Sequence, residues 1–185
     1  MKIRNDYVSN SSSSSFIVIE GEPTEIKKYD YYDWDPLILP TENGEYKFGW
    51  QIEDYNGFWD KVNWCAIMLN LMKDVLESDW YNPKPEDSEW EKEHKREKRE
   101  SASKYEEYLE RFRRVLKDNF NIEFVLNNDE KRLYAYIDHQ SDFDEEPDNA
   151  RMFEDDSTLL QFLASPDSYI HCDNDNHFSY SEMDD

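Results

Sequence analysis

The stretch from Asn56 to Ser78 constrains the fold of this chain most. Phe58, Val62, Cys65, Leu69, Met72 and Leu76 recur at alternating spacings of four and three, and Trp59, Ala66, Ile67, Met68, Leu71 and Val75 widen the stripe nearly all round. The spacing predicts a helix. Lys61, Lys73 and Asp74 are too few to give it the charged opposite face that a membrane-surface or partner-binding helix needs, so it belongs at the centre of a core.

The chain of 185 residues is long enough for one domain that buries most of its unfolded surface. Hydrophobic residues make up only 37%, below the usual share of about 45–50%, but aromatics reach 16%, so Tyr, Phe and Trp must do much of the burying. That aromatic content also argues against disorder.

Strands are expected on both sides of the helix. Phe16 to Glu20 is β-branched and closed by Gly21 and Pro23, and Glu45 to Asp54 alternates Tyr46, Phe48, Trp50 and Ile52 with polar residues. Asn121 to Leu126 and Arg132 to Asp138, separated by NNDEK, read as a hairpin, and Ser168 to Cys172 as a last strand. Ser157 to Ala164 reads as a short helix, capped by Ser157 after Asp155 and Asp156.

After Asn82-Pro83-Lys84-Pro85 a second long helix is expected from about Glu86 to Asn119. Tyr105, Leu109, Phe112 and Leu116 give its second half a core-facing stripe, whereas residues 86–103 hold little that is apolar except Trp90 and are expected to project as a solvated arm. Pairs such as Glu91 with Lys95 and Glu100 with Lys104 are expected to sustain that arm. The expected fold is one α+β domain over 1–185. A small, mostly antiparallel sheet packs against the central helix and the C-terminal half of the second. Residues 1–15 form a Ser-rich N-terminal arm and 173–185 a frayed acidic tail.

Charge narrows the function. The formal net charge is −23, and residues 138–185 hold fifteen Asp and Glu against the single Arg151. Residues 20–60 add eleven acids against three lysines, while residues 86–118 nearly cancel at eleven against ten. Binding to nucleic acid or anionic membrane, which needs Lys and Arg on phosphates, is not expected. With two cysteines, no CxxC, no apolar leader after Met1 and no apolar run near the ~18 residues of a span, a reduced, cytoplasmic, soluble protein is expected.

Metal-capable side chains gather in two loops, His139 beside Asp138 and His171, Asp173, Asp175 and His177 near the C-terminus. If the strand ending at Asp138 paired with the one ending at Cys172, the loops would meet and suit Zn or Mn, the alternative reading being a metal-binding module or metal-dependent enzyme. A dedicated calcium loop is not indicated, because its turn glycine is replaced by Phe178 in one loop and Pro147 in the other. No cofactor is expected, loose binding of a divalent cation by these loops excepted. No G-x-S-x-G elbow, P-loop or dinucleotide glycine pattern occurs, so a non-enzymatic role is favoured.

Met1 to Arg4 and Val8 to Phe16, reading MKIR and VSNSSSSSF, resemble the N-terminus shared by a group of uncharacterised proteins of bacteriophages and bacterial mobile elements. The resemblance implies a phage-type origin and assigns chemistry to no residue. Mobile elements gain from blocking host nucleases, and carboxylates fixed on a rigid surface can imitate the phosphate array of a duplex. The expected function is therefore an acidic accessory protein that binds a basic, nucleic-acid-binding host protein, as a nucleic-acid mimic acting against host defence. Its acidic surface is assigned to Asp30, Asp33 and Asp35, to Asp142, Asp144, Glu145, Glu146 and Asp148, and to Glu154, Asp155 and Asp156.

Overall fold

A computed structural model describes residues 16–25, 47–48, 53–124, 136–137 and 150–172. The Ser-rich arm, residues 29–35 with the acids Asp30, Asp33 and Asp35, most of the expected hairpin and the tail lie outside the described residues.

The central helix forms as α1, Phe58–Glu77. Residues 61 to 69 are buried without interruption, together with Met72 and Val75, so the near-complete apolar girdle is matched by neighbours on several sides. Its first turn holds Asp60, where a carboxylate meets the positive end of the helix, and Ser78 ends it by turning extended. Lys61 is not on a polar face. It is 1% exposed, inside the core with the apolar residues around it.

The second helix is not continuous. It resolves into α2 (Glu89–Ala102) and α3 (Tyr105–Val115), separated at Ser103 and Lys104, and a π-helical turn, Leu116–Phe120, follows α3 and closes on Asn121 at φ 58. Residues 86–103 do not project as an arm. α2 lies along α1 and buries Lys95, Lys98 and Ala102, because long lysine stems cover aromatic surface that the apolar pattern does not reveal. The expected Glu91–Lys95 pair is also replaced. Glu91 closes a capping box with Ser88, and Lys95 reaches Asp87 at 2.7 Å.

β1 (Phe16–Val18), β3 (Glu53–Tyr55) and β5 (Tyr169–Cys172) make a three-stranded antiparallel sheet in the order β1-β5-β3, and β2 (Lys47–Phe48) pairs in parallel with β4 (Tyr136–Ile137). The fold class is therefore α+β, as expected. Of these described strands β5 is the middle one of its sheet. Both its edges are occupied, Phe16 opposite His171 on one side and Asp54 opposite the same residue on the other, so β4 does not pair with it. Asn121 to Glu123 form no strand, although Ile122 and Phe124 enter the core.

Period-two alternation sorts the sheet into two faces. Ile17, Ile170 and Cys172 are buried toward the helices, while Phe16, Tyr169 and His171 lie on the partly exposed face. The last helix, α4 (Asp156–Ala164), packs against α1 and α3. Its cap is Asp155, whose carboxylate accepts from the Thr158 N–H at 2.8 Å, and Ser157 lies inside the helix rather than at its cap. Phe153 joins these layers: its ring stacks on Tyr108 at 5.1 Å and meets Phe112 edge-on at 6.2 Å.

Candidate functional site

The outer face of the sheet carries an open acidic cleft of about 320 Å³, lined by Glu20, Gly21, Asp54, Asn56, Asp167 and Tyr169, with Pro166 at its rim. Three elements bring its carboxylates together. Glu20 follows β1, Asp54 belongs to β3, and Asp167 sits in the turn between α4 and β5.

That turn is fixed from behind by buried polar contacts. Lys61 Nζ donates to the carbonyl oxygens of Ser165 at 2.7 Å and Ser168 at 3.1 Å. Burial pulls the Lys61 ammonium down to about 8, against which Cys65 and Asp60 act in the opposite direction. The Ser168 hydroxyl accepts from the Glu20 N–H at 3.0 Å and donates to the Glu20 carbonyl at 2.9 Å, which ties the chain after β1 to the same turn. Gln161 Nε2 donates to the Gly21 carbonyl at 2.6 Å, and the Thr24 N–H and hydroxyl both donate to the Ala164 carbonyl. Gly21 itself sits at φ +74, and a Cβ there would lie 2.4 Å from Asp167 Oδ2 and 2.6 Å from Ser165 Oγ. The cleft wall thus needs glycine twice over, for the left-handed backbone and for the close approach.

Beside the cleft, Asp54 Oδ1 lies 2.7 Å from His171 Nδ1, and the imidazole rests against the Phe16 ring at 4.8 Å between centroids. One strand from each side of β5 therefore holds His171. Of the residues expected to bind metal, His171 alone lies among the described residues, and its Nδ1 meets a carboxylate rather than a second imidazole. Among the described residues no group of three or more His, Cys, Asp or Glu is brought together to hold a metal ion. His139, His177, Asp173 and Asp175 lie outside them.

The described members of the expected acidic surface have separate duties. Glu154 is exposed. Asp155 is occupied as a helix cap, and hydrogen bonds from the Thr158 backbone and hydroxyl hold its carboxyl below the usual range. Asp156 takes two hydrogen bonds from Arg114 at 2.9 and 2.5 Å, which lower its carboxyl likewise. Asp30, Asp33, Asp35, Asp142, Asp144, Glu145, Glu146 and Asp148 lie outside the described residues.

Sequence reasoning missed the Glu20, Asp54 and Asp167 cleft, whose members are 147 residues apart at the extremes by number. The local signals were Gly21 directly after a strand and the Pro166-Asp167 turn directly before one. It also missed where the cations go. Lys61, Lys95 and Lys98 are buried; Arg99 donates to the carbonyls of Val75 and Leu76, Arg111 to that of Phe153, and Arg151, the one base of the last quarter, to that of Ile17. Among the described residues Lys84, Arg96, Lys104, Arg114 and Lys117 stay exposed, Arg96 and Arg114 each engaged by a carboxylate.

Chemically, the cleft offers fixed anionic oxygens beside an amide and a phenol ring, a set that receives ammonium or guanidinium groups. It holds no Ser, Cys or Lys nucleophile. No helix among the described residues is long and apolar enough to cross a membrane. No family model, no curated protein and no solved structure matches this chain, so the site is read from its own geometry.

Proposed function

We propose that this chain is a non-enzymatic accessory protein, of the phage or mobile-element kind, that binds a basic protein of its host through acidic faces and occupies a groove meant for nucleic acid. The reading rests on one observation above all: among the described residues Lys61, Lys95, Lys98, Arg99, Arg111 and Arg151 are turned onto aromatic rings or backbone carbonyls, while Glu20, Asp54 and Asp167 stay exposed. A formal charge of −23 spread over 185 residues already favours basic partners. Withdrawing Lys61, Lys95, Lys98 and Arg151 from the surface makes the outside more anionic than composition alone implies. The cleft of Glu20, Asp54 and Asp167 adds carboxylates held by a rigid frame, which mimicry of a phosphate array requires and which solubility does not. The place of action on this reading is the host-cell cytoplasm.

The test is competition. Immobilised protein is exposed to bacterial lysate at low and at high salt, with and without duplex DNA. Recovery of basic nucleic-acid-binding proteins, lost steeply as salt rises and displaced by the duplex, is the expected result. Salt-insensitive recovery, or none, overturns the reading. The triple variant Glu20→Gln, Asp54→Asn, Asp167→Asn should flatten the salt dependence.

A further inference from the structure

The joint between β3 and α1 carries a reactive pair. Asn56 is exposed, lines the cleft with Glu20, Asp54 and Asp167, and is followed by Gly57. The carboxamide carbon of an asparagine and the backbone nitrogen of the next residue are the closing atoms of a five-membered ring, and their place in one chain makes the closure a unimolecular step. A side chain on the next residue hinders that closure, and glycine has none.

Among the described asparagines Asn56 alone has glycine next. Pro83, after Asn82, has no N–H to react. Asn63 and Asn70 lie inside α1, where the following amide is engaged in the helix. Asn119 donates its carboxamide to the Val115 carbonyl at 3.0 Å, and Asn121 is followed by the β-branched Ile122, whose N–H donates to the Leu116 carbonyl. The fold also withholds from Asn56 the duty that would pin its side chain. Asparagine is among the best helix caps, its side-chain oxygen then being taken by an N–H of the first turn. α1 begins one residue too late for that. Gly57 is the cap, at φ −63 and ψ 143, its carbonyl accepts from the Lys61 N–H at 3.1 Å, and no side chain caps the helix.

We infer that Asn56 is a site of spontaneous deamidation that adds a carboxylate to the acidic cleft. The Gly57 nitrogen gives its proton to solvent and attacks Asn56 Cγ; a new C–N bond forms, the bond from Cγ to the side-chain nitrogen breaks, and ammonia leaves. Water then opens the succinimide at one of its two carbonyls and leaves aspartate or isoaspartate. Nothing is oxidised or reduced, and water is the co-reactant. Either product makes the cleft more negative by one charge beside Glu20, Asp54 and Asp167. Isoaspartate also inserts a methylene into the backbone between β3 and α1. The site does not depend on the partner proposed above.

The full chain is incubated at neutral and at mildly alkaline pH, and mass-spectrometric peptide mapping, with fragmentation that separates isoaspartate from aspartate, follows each asparagine with time. The expected result is conversion at Asn56, isoaspartate in excess, faster at the higher pH because the attacking nitrogen must lose its proton. Asn56→Gln should lose the conversion at that position, since glutamine has to close a larger ring, and on isoelectric focusing aged wild type should gain one acidic charge more than this variant. Circular dichroism checks that the variant keeps its helices. Glutamine is chosen over Gly57→Ala because a Cβ at Gly57 would lie 2.4 Å from Asp60 Oδ2. The second Asn-Gly pair, Asn43-Gly44, lies outside the described residues and is read on its own peptide. An Asn56 that stays amidated in the folded chain, whether or not Asn43 converts, overturns the inference. Conversion at Asn56 only after urea unfolds the chain overturns it too, by showing that the fold holds the carboxamide away from the Gly57 nitrogen.

Discussion

Lys61 Nζ lies 2.7 Å from the carbonyl oxygen of Ser165, and neither residue reaches solvent. A residue near the start of the central helix thereby fixes a turn more than a hundred positions away, and with it Asp167 and the wall of the acidic cleft. Replacing it by Met keeps the apolar stem but strands two buried carbonyls, so Lys61→Met should cost about 1–3 kcal/mol at neutral pH in urea denaturation. Its pH dependence is the sharper check. The folded chain releases the Lys61 proton near 8 and the unfolded chain near 10.5, so between those values the unfolded state binds more protons and stability rises with pH. Wild type should gain on Lys61→Met across that window, by on the order of 3 kcal/mol at most. A difference that is flat or falls with pH would falsify the assignment of a buried, charged lysine.

Gly21→Ala meets two obstacles at once, a φ of +74 and a Cβ 2.4 Å from Asp167 Oδ2. The expected loss is about 1–3 kcal/mol, and the variant should also bind basic peptides more weakly because Asp167 must move. Unchanged stability together with unchanged binding would show that the turn relaxes freely.

Ser168→Ala removes a fully buried hydroxyl that both accepts from and donates to the backbone of Glu20. Leaving the Glu20 N–H without that acceptor is expected to cost about 1–3 kcal/mol. Amide exchange at Glu20 should speed up in the variant, and exchange that stays slow would count against the bond.

Phe153→Ala opens a cavity under Tyr108 and Phe112 where no solvent enters, with an expected loss of about 3–5 kcal/mol. Trp90→Ala, on the open side of α2, should leave the unfolding midpoint unchanged. The contrast between two aromatic truncations separates core from surface in one pair of denaturation curves.

Acid should act through the helix starts. Asp87 is held below its ordinary 3.8 by its hydrogen bond from Lys95, Glu91 below 4.5 by Ser88, and Asp155 below 3.8 by the Thr158 backbone. Each contribution is complete above the unfolded value and is lost as pH falls through the folded one. Asp87→Asn and Glu91→Gln should therefore lose less of their melting temperature than wild type on acidification below about pH 4. Parallel losses would show that these contacts do not persist in solution.

The sequence by itself determined the elements whose signal is local. The stripe from Phe58 to Leu76 is α1, Phe16 to Val18 and Tyr169 to Cys172 are strands, and the apolar face of Tyr105, Leu109 and Phe112 is buried, because periodicity reports burial wherever one face of an element meets the core. Only the tertiary structure decided that β5 lies between β1 and β3, that residues 86–103 lie along α1, and that Glu20, Asp54 and Asp167 share a cleft. Strand order and the grouping of distant carboxylates depend on which surfaces pack together, and no local pattern encodes that. Lys61 makes the point most plainly. In the sequence it is one charge on an apolar helix with no partner in view, whereas its burial follows from two carbonyls that the fold brings to it from the turn before β5.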